Sequence, residues 1–215
     1  MRRMIAAGPL AKRPPHKALG AAGLARFLAS FGTVALAFLF AAAAALAAEP
    51  ETIKPGEFIP ASPPQPAPEV SFTDLKGNWV ALADFKGKLV LVNLWATWCQ
   101  PCLKEMPSLE KLQTDQADKL TVAAISEDRG GNQVVEPFAA KLGLEKVKIY
   151  LDPKSAVGHA FSARGLPTTL VIDTEGRLVG RVEGAAEWDS AQMAAALQPF
   201  LPAASDDAKL KRAAR

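Results

Sequence analysis

Lys88-Leu-Val-Leu-Val-Asn-Leu-Trp-Ala-Thr-Trp-Cys-Gln-Pro-Cys102 is the stretch that decides the fold of this chain. From Lys88 to Trp95 it is a mostly apolar run rich in β-branched and aromatic side chains, the pattern of a buried strand. That strand delivers Cys99 to its carboxyl end, where open α/β sheets keep their chemistry. Cys99 and Cys102 are the only two cysteines among 215 residues. Neither has another partner within the chain, and a four-cysteine zinc cage cannot be built. A Cys-x-x-Cys pair that opens a helix is a dithiol able to close to a disulfide and reopen, carrying two electrons. The helix N-terminus, with about half a positive charge and unpaired N–H groups, stabilises a thiolate there. Cys99 is therefore expected to be the exposed nucleophile. Cys102, one turn further in and more buried, is expected to resolve the mixed disulfide. Pro101 suits a first helical turn, where its missing N–H has no partner to lose. Gln100 and Pro101 bring no charge, so the spacing leans towards a reductant. An inert structural bridge is the weaker reading, because such bridges usually close longer loops.

Glu105 lies three residues after Cys102 and so on the same helix face. A carboxylate held beside a buried thiol can carry its proton, and burial raises its pKa towards the working range. A solvated glutamate on an exposed helix face is the alternative reading of the same position. Pro107 falls inside the helix and is expected to kink it. Pro167 precedes the apolar strand Thr169 to Ile172. Sequence alone favours a trans bond there, since cis X–Pro occurs in only about 5–6% of cases.

Asn93-Leu-Trp-Ala-Thr-Trp-Cys-Gln-Pro-Cys102 and Lys104-Glu-Met-Pro107 resemble the TlpA/ResA/CcmG branch of the thioredoxin superfamily, most closely its TlpA-like thiol:disulfide oxidoreductases. Gly165-Leu-Pro-Thr-Thr-Leu-Val-Ile-Asp173 and Glu183-Gly-Ala-Ala-Glu-Trp188 extend the resemblance over roughly residues 70–201. It implies an α/β thioredoxin fold with an amino-terminal β-hairpin extension, and a protein disulfide reductase that needs neither cofactor nor metal. It further implies that Glu105 handles the proton of Cys102. The aspartate that ordinary thioredoxins bury on the preceding strand is here Asn93, which cannot titrate. Pro107 matches the helix kink of the superfamily. Pro167 matches its cis-proline beside the dithiol, with Leu166 offering backbone groups to an extended substrate and Trp98 on the same binding face. Trp95 and Trp98 otherwise read as packing around the site. The implied substrates are apocytochrome c thiols, or the copper-centre cysteines of a cytochrome oxidase subunit or its copper chaperone. A membrane electron donor of the DsbD/CcdA kind is implied to recharge the dithiol.

A copper-binding metallochaperone of the Sco kind is the alternative, with His159 as third ligand to Cys99 and Cys102. Sco-type proteins use a Cys-x-x-x-Cys spacing, one residue longer than here, and His159 falls in an expected helix. A peroxiredoxin would carry a proline seven residues, and a Thr or Ser three residues, before its peroxidatic cysteine. Val92 and Ala96 hold those places. Gly130-Gly131 is a turn and not a phosphate loop, since no Lys-Ser/Thr follows.

Composition organises the flanks. Arg2, Arg3, Lys12, Arg13, Lys17 and Arg26 form a basic arm over residues 1–26, with no acid before Glu49. Residues 27–48 carry no charge. A positive flank before such a run suits a single-pass anchor in a bacterial inner membrane, with the arm cytoplasmic and the catalytic domain periplasmic. The ending Ala45-Leu-Ala-Ala48 also suits a cleaved signal, which would leave the domain free in the periplasm. The formal charge of +3 rests on that arm: of 25 Lys and Arg, six lie within it, leaving 19 against 22 acids and a net of −3. No basic nucleic-acid surface is implied. Residues 49–69 hold seven of the 17 prolines and read as a semi-rigid polyproline linker of at most ~65 Å, at ~3.1 Å per residue. Residues 202–215 read as a solvated tail.

Between these ends, about 130 residues suffice for one core. Val70–Phe72 and Trp79–Leu82 read as a hairpin. Further strands are expected at Leu120–Ser126, Lys148–Leu151, Thr168–Asp173 and Arg177–Glu183. Helices are expected from Cys99, across Phe138–Leu142, from Pro153 to about Ala163, and from Trp188 to Leu201.

Overall fold

The computed structural model describes residues 54–202. The arm, the uncharged run and the tail from 203 lie outside the described residues, as do residues 49–53 of the linker. Among the described residues no helix is long and apolar enough to cross a membrane.

Eight strands form one sheet: β1 (Phe58–Pro66), β2 (Ser71–Asp74), β3 (Trp79–Ala81), β4 (Leu89–Trp95), β5 (Leu120–Ser126), β6 (Lys148–Leu151), β7 (Thr168–Ile172) and β8 (Arg177–Glu183). Their spatial order is β1-β8-β7-β4-β5-β6-β2-β3. Helices α1 (Gln100–Asp115), α2 (Asn132–Lys141), α3 (Ala156–Ala160) and α4 (Ala191–Leu197) connect or close it. β4 runs parallel to β5 and antiparallel to β7, and every residue of β4 is buried. Its side chains alternate between two cores, as the period of a strand requires. Leu89, Leu91 and Trp95 face the core shared with α1, α2 and α4, whereas Val90, Val92 and Leu94 face the one shared with α3. Asn93 falls on the α1 side by the same alternation.

The expected thioredoxin-like α/β pattern is the observed one, and the bounds of the buried strands agree closely with expectation. Three helices differ. α2 begins at Asn132, α3 stops at Ala160, and α4 begins only at Ala191, where the Ser190 side chain accepts from Met193 N (3.2 Å). Trp188 thus lies in the turn before α4, fully buried.

The linker expectation for residues 49–69 is corrected over Phe58–Pro66. That segment is β1, antiparallel to β8, with the register shifting between Pro60 and Gln65. Proline lacks the N–H a central strand must donate, but the outermost strand needs donors on one side only. Phe58 fixes it in place: its ring packs against the α1-side core and lies 5.9 Å from Phe200. Gly180 on β8 makes the room, since a Cβ there would fall on the Phe58 ring and 2.8 Å from Ile59 O. The packed domain therefore begins before residue 70.

Candidate active site

β4 ends at Trp95, and the chain turns through Ala96-Thr-Trp98 into α1. Asp128, just past β5, holds that turn. Its carboxylate accepts from Thr97 N (2.8 Å), Thr97 Oγ1 (2.7 Å) and Ser126 Oγ (2.8 Å). Cys99 is the N-cap of α1, and its Sγ accepts from Cys102 N at 3.3 Å. The same backbone N–H is available to a Cys99 thiolate, which is how a helix end lowers a thiol's pKa. Cys99 and Cys102 form a disulfide. Cys102 is wholly buried, and Cys99 keeps only 5% of its surface, so the difference in exposure has the expected sense but is small. Trp98 beside them is 68% exposed. It is a surface aromatic and not packing, unlike Trp95, which is buried.

The Leu166–Pro167 bond is cis. Thr168, the next residue, pairs with Leu94 of β4, so Pro167 sits at the end of the sheet from which α1 departs. Leu166 is half-buried against both cores, and Pro167 O accepts from Gly184 N at 2.9 Å.

Glu105 is not solvated. The inward residues of α1 are Cys102, Glu105, Met106, Leu109, Leu112 and Gln113, a helical stripe with a carboxylate in its middle. Only 2% of Glu105 is exposed. Its Oε1 accepts from Asn93 Nδ2 (2.8 Å), and its Oε2 from Trp188 Nε1 (3.0 Å) and Ala186 N (3.1 Å). Burial pushes its pKa up, and the bonds from Trp188, Ala186 and Asn93 work in the opposite direction, with the upward push prevailing. Asn93 Nδ2 also reaches Thr169 Oγ1 (2.9 Å) on β7, while its own Oδ1 has no partner among the described residues. Residue patterns alone missed the roles of Asn93 and Trp188. The available signal was a polar residue in an otherwise apolar strand and an aromatic one in a turn.

Pro107 lies inside α1 on its exposed side. His159 is exposed on α3, which packs on the sheet face opposite α1. Among the described residues no three His, Cys, Asp or Glu side chains gather as a metal site, so His159 is not brought to the dithiol. Val92 and Ala96 are fully buried and offer no hydroxyl to the cysteines.

A family model described as the AhpC/TSA family matches residues 63–181. The chain is 42% identical over 115 residues to the thioredoxin-like protein YneN of Bacillus subtilis, covering 52% of this chain and 66% of that one. It is 34% identical over 137 residues to the thiol-disulfide oxidoreductase ResA of Bacillus cereus, covering 63% of this chain and 77% of that one. Among solved structures it is similar to the thioredoxin domain of a thiol-disulfide oxidoreductase from Bacteroides vulgatus. That likeness has 26% identity and a TM-score of 0.54, over 70% of this chain and all of that one.

Proposed function

Because the chain belongs to the AhpC/TSA family, whose thioredoxin-like fold it shares, we propose that it is a thiol:disulfide oxidoreductase that reduces protein disulfides. The observation that carries this reading is the Cys99–Cys102 disulfide at the N-terminus of α1, with the Cys99 sulfur already hydrogen-bonded to the helix end. The similarity to ResA supports the substrate class.

In the reduced enzyme the Cys99 thiolate attacks one sulfur of a substrate disulfide. That S–S bond breaks, a mixed disulfide forms, and one substrate thiolate leaves. Cys102 then loses its proton to the Glu105 carboxylate and attacks Cys99 Sγ. The mixed disulfide breaks, the Cys99–Cys102 bond forms, and the second substrate thiolate departs. Two electrons have moved to the substrate. Trp98, exposed beside Cys99, and the backbone at Leu166–Pro167 hold the substrate chain across the site. Glu105 suits its role because burial keeps its proton affinity high, while three donors keep its anion accessible.

The domain is exported, and the uncharged run 27–48 behind its basic arm anchors it in a bacterial inner membrane. A reductant in such an oxidising compartment must be recharged across the membrane, by a donor of the DsbD/CcdA kind. Its clients are apocytochrome c or the copper-site cysteines of cytochrome oxidase assembly.

The midpoint potential of the dithiol, measured against a glutathione or dithiothreitol series, tests the direction of electron flow. A value near or below about −200 mV supports a reductant, and one near about −120 mV indicates an oxidant.

A further inference from the structure

The turn between β8 and α4 reaches across the α1-side core and grips α1 in two places. Trp188 N donates to Ser108 Oγ (3.1 Å), and Ser108 Oγ in turn donates to Glu105 O (2.8 Å). Trp188 Nε1 and Ala186 N both donate to Glu105 Oε2, and Asn93 Nδ2 donates to Oε1. The two oxygens therefore have separate and fixed donors: one side chain from β4, and a side chain and a backbone N–H from the turn. The turn itself is tied to the cis-proline loop through Gly184 N and Pro167 O. Asn93 is tied to β7 through Thr169. The carboxylate thus closes a ring of contacts that runs from the cis-proline loop, through the turn, to α1 and back along β4 and β7.

We propose that Trp188 is a positioning residue for the dithiol chemistry, holding the Glu105 carboxylate in a single orientation on the helix face that also carries Cys102, together with Asn93. This rests on the reading of Glu105 as the proton carrier for Cys102.

A plain structural role, in which Glu105 is present only to satisfy a buried indole, is at odds with Trp95. That residue is equally buried on the same side of the sheet, yet its Nε1 has no partner among the described residues. The fold therefore leaves one indole N–H unpaired while aiming the other at the carboxylate. An indole suits the task, being rigid and apolar over most of its surface with one donor at its edge. Among the described residues no charged side chain faces Glu105 to do this instead. Besides Glu105, the titratable inward residue of α1 is Cys102, with Cys99 at the N-cap; β4 and β7 present Asn93 and Thr169, and Glu187 and Asp189 in the turn are exposed. Of the three donors that favour the ionised carboxylate, Trp188 has the largest effect.

The test is the pH dependence of single-turnover reduction of a disulfide-bonded peptide by the full-length reduced protein, with the wild type, Trp188→Phe, Glu105→Gln and the double variant. Besides the limb set by ionisation of the Cys99 thiol, wild type should show a second acid limb, which Glu105→Gln abolishes. Removing the indole N–H weakens the anion relative to the acid, so Trp188→Phe should move that limb to higher pH. At a fixed pH on the limb, the loss of one charge-assisted bond should slow reduction about tenfold. In the Glu105→Gln background Trp188→Phe should then have no further effect on the profile. If Trp188→Phe does not fold, benzothienylalanine at position 188 keeps the bicyclic shape and deletes only the N–H, and the same displacement is expected. A limb that Glu105→Gln abolishes but the indole replacement leaves in place would overturn the inference alone, and make Trp188 ordinary core. A pH profile that Glu105→Gln leaves unchanged would overturn the role of Glu105, and this inference with it.

Discussion

Replacing Glu105 by glutamine should change how the stability of the oxidised protein depends on pH, and the sign is set by the structure. In the disulfide form neither cysteine titrates, so the effect isolates Glu105. Its carboxyl is raised from an ordinary value of 4.5, first because burial disfavours the anion, with the bonds from Trp188, Ala186 and Asn93 opposing. A carboxyl with a higher pKa folded than unfolded binds more protons in the folded state between those two values. Wild-type stability must therefore fall as pH rises from about 4.5 to the folded value, and stay reduced above it. Each unit of elevation corresponds to about 1.4 kcal/mol. At 2% exposure, solvent screening does not diminish the effect. Glutamine carries none of this pH dependence. Its carbonyl can take the two donors Trp188 Nε1 and Ala186 N, and its amide can face Asn93, whose unpartnered Oδ1 becomes an acceptor once the Asn93 amide turns over. The constant cost of the substitution should then be about one neutral hydrogen bond, roughly 0.5–1.5 kcal/mol. Glu105→Ala, by contrast, strands three donors beside a cavity, and should cost about 2–5 kcal/mol. Urea unfolding of the oxidised wild type and Glu105→Gln between about pH 4 and about pH 9 measures the difference, from which the other titrating groups cancel. Glutamine should gain on glutamate as pH rises, then run level. A constant difference across the range would refute the reasoning, since Glu105 would then have ordinary acidity despite its burial.

Cys99→Ser should abolish turnover, whereas Cys102→Ser should trap a mixed disulfide with substrate through Cys99; alkylation of the reduced wild type that labelled Cys102 first would reverse the assignment. Asp128→Ala removes the acceptor for Thr97 N, Thr97 Oγ1 and Ser126 Oγ. It should cost about 3 kcal/mol by denaturation and slow substrate reduction, because the turn that presents Trp98 and Cys99 is loosened. Gly180→Ala sets a Cβ against the Phe58 ring and Ile59 O, and should cost about 1–3 kcal/mol, with hydrogen exchange accelerated in β1. Phe58→Leu should relieve only part of that loss, because the Ile59 contact is backbone.

The strands from β5 onward were legible almost residue by residue. β5 has the bounds its apolar run implies, and β6 and β8 those of their short mixed runs of β-branched, aromatic and polar residues, because a strand must be apolar only where its side chains meet a core. The dithiol was legible for a different reason: two cysteines at this spacing, at the end of such a strand, leave little else to do. β1 was not legible. Its prolines read as a spacer, since whether an extended segment pairs is decided by the edge it meets and by the space Gly180 leaves for Phe58.

Sequence alone therefore determined the strands β2 to β8, the helix that starts at the cysteines, and Glu105 as a residue facing Cys102's side of that helix. All of these follow from periodicities over a few neighbouring residues. Only the tertiary structure decided that Glu105 is buried and gripped. Its donors come from 12, 81 and 83 residues away. A carboxylate's acidity depends on the solvent it has lost and the dipoles that replace it, and here both are supplied by segments that meet only once the sheet has formed.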